Sequence, residues 1–161
     1  RARQLDGFAE FGQAIAQALG KKPGQLWTMR NGYALFNASA AVDQVSDFIQ
    51  DLDEAGRDAL RQMLRIGLHW DVEVTDVPTS PGPLVSQAFC SALPVAYNHF
   101  ERDQAPQWAP LASLVLEAAY EATLWAAVTQ AQQGGSNKVL LTSLGGGVFG
   151  NDERRIRAAF S

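Results

Sequence analysis

Apolar residues at helical spacing open the chain. Leu5, Phe8, Phe11, Ile15 and Leu19 fall on one face, and Gly20 stops the run. A turn at Lys21 to Gln25, carrying Pro23-Gly24, follows, and the period then shortens. Leu26 to Met29 and Tyr33 to Phe36 are short strand-forming runs on either side of Asn31-Gly32, a dipeptide that favours a tight hairpin turn. The alternative reading, at a strand end of a ligand-binding α/β domain, has Asn31 and Tyr33 facing a pocket. Helical spacing returns in Ala40 to Leu52, through Val42, Val45, Phe48, Ile49 and Leu52. It recurs in Glu54 to Ile66, with Leu60, Met63, Leu64 and Ile66 as the stripe and Gly67 as the stop.

His69 to Thr75 alternates. Trp70, Val72 and Val74 take one face, and His69, Asp71, Glu73 and Thr75 the other. Pro78, Pro81 and Pro83 then enforce a loop. Leu84 to Ala92 is a mostly apolar run, expected to be a strand buried on both faces. Leu93 to Tyr97 and a polar loop from Asn98 to Gln107 lead into an Ala-rich helix from Trp108 to about Gln132, closed by Gly134-Gly135.

The last stretch, Lys138 to Asp152, reads KVLLTSLGGGVFGND. It predicts a strand through Val139 to Thr142, a glycine loop, and a helix to about Phe160 with Asn151 as its N-cap. Strands alternating with helices in the second half predict an α/β layer with parallel strands. Ligands in such sheets sit beyond the carboxyl ends of strands. The glycine loop and Pro94 to Tyr97 would then line one crevice.

Glycines permit positive φ and close approach of a ligand to the main chain. A loop that opens a helix also aims unpaired N–H groups at one point, which makes an anion site. The alternative is a tight strand-to-helix turn that binds nothing. No Lys-Ser or Lys-Thr follows the last glycine, so this is not a Walker loop. Gly145, Gly147 and Gly150 satisfy the dinucleotide spacing G-x-G-x-x-G, but too few residues follow to complete that unit.

Composition narrows the classes. A chain of 161 residues with 47% hydrophobic and 19% charged positions suits one domain with a sizeable core. A formal charge of −4 argues against broad electrostatic binding of nucleic acid. The single cysteine, Cys90, forms no intrachain disulfide and suits a reducing, cytoplasmic setting. No uninterrupted apolar run reaches the ~18 residues of a membrane span, so no membrane association is expected. The chain begins at Arg1 without a signal-peptide pattern, as expected of one domain, residues 1–161, excised from a longer chain.

The segment TSLGGGVFGN, after a long Ala-rich helix and a strand, resembles the second phosphate-binding loop of macrodomains, the ADP-ribose-binding modules. QAFCSALPVAYN and LEAAYEATLWAAV resemble the late strand and the helix that precede that loop, so the likeness covers Leu84 to Ser161. Together with NGYAL, RIGLHWDVEVT and SLGGGVFGN, these segments resemble a divergent branch of the macrodomains, one that includes MavL-type bacterial effectors, which hydrolyse ADP-ribose from modified arginine on ubiquitin. The family's adenine-reading Asp, its Val-Asn-x-x-Asn motif and its first glycine loop have no counterpart in the first half.

The resemblance implies a macrodomain-like mixed or parallel sheet flanked by helices. Its ligand would be ADP-ribose or an ADP-ribosylated protein, with no cofactor and no metal. Ser143, Gly145, Gly146, Gly147, Val148, Phe149, Gly150 and Asn151 would form the diphosphate loop, with Phe149 on the ribose side. Asn31 and Tyr33 would complete the ribose side, and Tyr97 would stack on a ring. Hydrolysis needs a carboxylate to activate water or to stabilise oxocarbenium-like charge. Asp71, then Glu73, are the candidates, and a solvent-facing pair is the alternative.

Other polar residues point elsewhere. Asp43, Asp47, Asp51 and Asp53 read as a solvated face rather than a metal cluster. His69 and His99 have no triad or metal partner in the pattern. Ser91 lies in no nucleophile elbow, and Cys90 reads as a buried small hydrophobe. Three classes stand: an ADP-ribosyl hydrolase, to which the sequence leans, a non-catalytic ADP-ribose reader, and an interaction domain whose glycine loop is only a turn.

Overall fold

Asn31 and Gly32 take φ values of 53° and 84°, the positive pair that a two-residue hairpin turn demands. They join β1 (Trp27–Arg30) to β2 (Tyr33–Phe36) as an antiparallel pair, with Arg30 opposite Tyr33 and Trp27 opposite Phe36. The computed structural model describes residues 5–22, 24–98 and 107–161. Pro23, His99 and most of the polar loop expected after Asn98 lie outside them.

Helix α1 (Ala9–Ala18) precedes the hairpin, and α2 (Ser39–Asp51) and α3 (Glu54–Arg61) follow it. Strands β3 (Gly67–Glu73) and β4 (Leu84–Phe89) form a second antiparallel pair. A single 3-10 turn, Val95–Tyr97, comes next. Then come α4 (Ala109–Gln132), a further 3-10 turn at Gly147–Phe149, and α5 (Glu153–Ala158). The protein is thus mixed α/β, with two small antiparallel sheets.

The core is built on α4. Pro110 sits in its first turn, where no N–H is needed, and Gly134 at φ 88° follows its end. Leu111, Leu114 and Val115 of α4 bury against Phe11 and Ile15 of α1, the aromatics of the first hairpin, and Val42, Val45 and Ile49 of α2. Each such side chain contributes roughly 1.5–3 kcal/mol by leaving water. Phe8, Phe11, Trp27, Phe36 and Trp108 form a run of ring contacts through this core, with centroids 5.1–6.1 Å apart. Helix α4 is long and apolar enough to cross a membrane by length and composition, but its first half is the central core helix. Arg61 of α3, largely covered, pairs with Glu54 and Asp58 of its own helix and with Glu117 and Glu121 of α4. Its hydrogen bond to Glu54 is the largest influence raising its pKa, so it stays charged.

Several sequence expectations are corrected. A parallel sheet does not form, because each strand pairs only with its sequence neighbour, and such local pairs need no crossover. Residues 138–142 adopt no regular strand. Their apolar run has the propensity, but no described strand runs beside it. β4 is exposed along its whole length rather than buried on both faces, because no residue of its two-stranded sheet joins either buried apolar cluster. Gly67 opens β3 instead of ending a helix, which stops at Arg61. Alternation in β3 breaks at a bulge between His69 and Val72, where Asp71 has φ 52°. Asp71 and Glu73 therefore do not follow one regular face.

Candidate functional site

The glycine loop is fixed at both ends by buried polar groups. Tyr120 of α4 is fully buried. Its hydroxyl donates to the Thr142 carbonyl oxygen at 2.7 Å and accepts the Leu144 N–H at 3.0 Å. Asn151 closes the other end. Its Nδ2 donates to the Leu93 oxygen at 2.9 Å and the Gly145 oxygen at 3.1 Å, and its main-chain N–H also donates to Gly145. Asn151 is thus a loop clasp, and Asp152 takes the N-cap expected of it, accepting the Arg154 N–H at 2.8 Å. Beneath the loop, Ala92, Leu116, Tyr120 and Ile156 form a second apolar cluster.

The glycines differ in kind. A Cβ on Gly145, at φ 70°, would run into the Ala92 side chain and reach 2.6 Å from Asn151 Nδ2, so this glycine is required by the fold. Gly146 is in ordinary backbone, and a Cβ there would meet only Ile156 Cδ1 and the Ser143 carbonyl at 3.7 Å. No structural demand accounts for glycine at that position. The N–H groups of Gly147 and Val148 open a 3-10 turn and have no acceptor among the described residues. Val148 is exposed, and the side chain of Ser143 is free on the surface.

Three rings meet over this loop. Tyr33 of β2 lies 5.4 Å from Tyr97 and 5.7 Å from Phe149, and Tyr97 lies 5.4 Å from Phe149, centroid to centroid. All three pairs are edge-to-face. Gly150 packs against Ala96, where a Cβ would approach to 3.0 Å. Asn98 holds the 3-10 turn to the hairpin, since its Oδ1 accepts the Phe36 N–H at 2.7 Å and its Nδ2 donates to the Pro94 oxygen at 3.0 Å. Asn31 is exposed in the turn that carries Tyr33.

Asp71 and Glu73 make other contacts. Asp71 Oδ1 accepts from Gln130 Nε2 at 2.8 Å, and Glu73 Oε1 accepts the Gly82 N–H at 2.9 Å. Neither bonds to the glycine loop or to the three aromatic residues. Cys90 is half-buried, and burial pushes its thiol pKa up, which disfavours the nucleophilic thiolate. His69 packs edge-to-face on Phe89 at 4.9 Å. Among the described residues no His, Cys, Asp or Glu cluster could hold a metal ion.

Three contributors escaped the sequence reading. Tyr120 and Asn98 act through bonds spanning 22 and 62 residues, which no local pattern signals. Arg155, in the first turn of α5, is half-buried and makes none of the ion pairs found among the described residues. Burial lowers its pKa, with the Asp152 carboxylate acting against that shift. The basic run Arg154-Arg155 was its signal.

The fold and site define a mixed α/β domain with an aromatic-flanked glycine loop. No protein-family model, curated protein or solved structure matches the chain.

Proposed function

We propose that the protein binds ADP-ribose, with the main chain of Gly145 to Gly150 on the diphosphate and Tyr33, Tyr97 and Phe149 around the sugar. The observation that carries this reading is the meeting of those three rings beside a loop with free N–H groups. Aromatic faces hold a sugar or base, and main-chain amides hold an anion without a large positive field. Arg155 supplies positive charge close to the loop in sequence. The reading rests on the loop and its macrodomain resemblance rather than on the sheets, which are antiparallel.

A reader of ADP-ribosylated protein is the form the geometry supports best. Hydrolysis of an arginine-linked ADP-ribosyl bond extends the same proposal and requires a carboxylate at the ligand. Asp71 and Glu73, the candidates for it, are engaged by Gln130 and Gly82.

Calorimetric titration with ADP-ribose, with AMP and NAD as controls, tests binding. Gly146→Glu is the companion variant, because the backbone accepts a side chain there while the added carboxylate repels phosphate. Binding by the native chain and none by a folded Gly146→Glu variant is the expected result. No binding by either would reduce the loop to a structural turn.

A further inference from the structure

A groove of about 600 Å³ runs between α3, the start of β3 and one face of α4. On α4 it extends from Ala118 to Thr129, about 16 Å along the helix axis. Trp70 and Trp125 both line it and are 42% and 64% exposed, although tryptophan is on average a well-buried residue. Trp125 Nε1 donates to Glu121 Oε1 at 3.4 Å, which holds that ring beside a carboxylate. The charges around the groove do not balance. Arg61 meets Glu54, Asp58, Glu117 and Glu121, and Arg65 meets Glu10. Five carboxylates thus share two guanidiniums, a formal excess of three negative charges. Asp58 and Glu121 stand in the lining itself with half-exposed side chains.

We infer that this groove binds an extended, arginine-bearing segment of a partner protein. Charge selects the occupant, since a negative excess attracts a basic segment and repels the phosphates of a nucleic acid or an anionic membrane. The exposed tryptophans select arginine among basic residues, because a guanidinium stacks on an aromatic face while it pairs with a carboxylate. Its methylene stem suits the apolar part of the lining, Leu68, Ala122 and Ala126. A single small cation fills one end of a groove this long, whereas an extended segment of about five residues spans it. A second copy of this chain is a poorer occupant. Its basic element is α5, where Arg154 and Arg157 already pair with Asp152 and Glu153. The groove shares no residue with the glycine loop or its three rings, so neither site depends on the other.

The test is calorimetric titration of the whole chain, at low salt, with a short capped peptide of alternating Ala and Arg. The same peptide with citrulline for arginine keeps the shape and loses the charge. Methylguanidinium supplies the head group alone. The arginine peptide is expected to bind, the citrulline peptide not to bind, and methylguanidinium to bind far more weakly than the peptide. Trp125→Ala and Glu121→Gln should each weaken the arginine peptide about fivefold. Both variants should fold, because Trp125 is exposed and Arg61 keeps three other carboxylates. Absence of binding by the native chain would overturn the inference. So would equal binding of the citrulline peptide, methylguanidinium as tight as the peptide, affinity unchanged in either variant, or a concentration-dependent dimer that blocks the peptide.

Discussion

The side-chain amide of Asn151 donates to the Leu93 carbonyl oxygen, tying the end of the glycine loop to the chain that leaves β4. Asn151 is only 6% exposed, and the same nitrogen reaches the Gly145 oxygen. Its Oδ1 is buried with no partner. Asn151→Ala would remove the side-chain donor that links these two carbonyls while each keeps a main-chain donor, so a loss of about 1 kcal/mol in chemical unfolding is expected. ADP-ribose affinity should fall with it, because the loop is no longer closed. Asn151→Asp removes the donor and buries a charge, and should cost at least as much.

Gly145 and Gly146 are neighbours with opposite predicted tolerance. Gly145→Ala meets both a positive φ and the Ala92 side chain, so about 2–3 kcal/mol of destabilisation is expected. Gly146→Ala meets neither and should change stability by no more than about 1 kcal/mol. Thermal unfolding of the two variants side by side reads the difference. Equal losses would show that Gly146 is also structural.

Phe149 touches both Tyr33 and Tyr97. Phe149→Leu keeps apolar bulk and loses two edge-to-face contacts, each worth about 0.5–1.5 kcal/mol. If the rings hold the sugar, affinity for ADP-ribose should drop about tenfold or more, with little change for inorganic phosphate. Parallel loss for both ligands would place Phe149 in loop support instead.

Much of the fold was legible where its cause is local. Asn31-Gly32 specifies its turn because both residues accept positive φ, the helices α1 and α2 follow from apolar spacing, and α4 follows from its alanine-rich composition. Pairing of strands was not legible, since Val139 to Thr142 has a strand-like sequence but its partner edge is set by the tertiary fold. The break at Asp71 was hidden for a related reason, because a bulge leaves no mark on a run that alternates perfectly in sequence. Within the site, Tyr33, Tyr97 and Phe149 were named from separate stretches, and the fold brings them together. Asp71 and Glu73 were chosen as carboxylates sharing one face of an alternating run, and their hydrogen bonds go to Gln130 and Gly82.

Asp152 sets a pH dependence at the loop's far end. The Arg154 main-chain N–H is the largest influence holding its carboxyl below the usual aspartate range. A lowered folded pKa means the stabilisation is complete above the unfolded value and is lost as pH falls through the folded one. Amide exchange in α5 should therefore accelerate in acid, below about pH 4. Asp152→Asn keeps a capping acceptor without a titrating group, and its α5 should show no such acid transition.

Asp71 separates a structural carboxylate from a catalytic one. Its Oδ1 accepts from Gln130, and Gln130 Oε1 in turn accepts the Ser86 hydroxyl, whose oxygen receives the Asp71 N–H. This network joins the β3 bulge to α4. Asp71→Ala breaks it and leaves a methyl side chain at φ 52°, so about 1–2 kcal/mol of destabilisation is expected. Asp71→Asn retains an acceptor and tolerates that backbone, and should recover most of the loss. For a structural role, ADP-ribose affinity stays within about twofold in both variants. A hydrolase with Asp71 as its base would behave differently. Asp71→Asn would keep its stability yet lose turnover on ADP-ribosylated arginine, because an amide cannot take the proton from water.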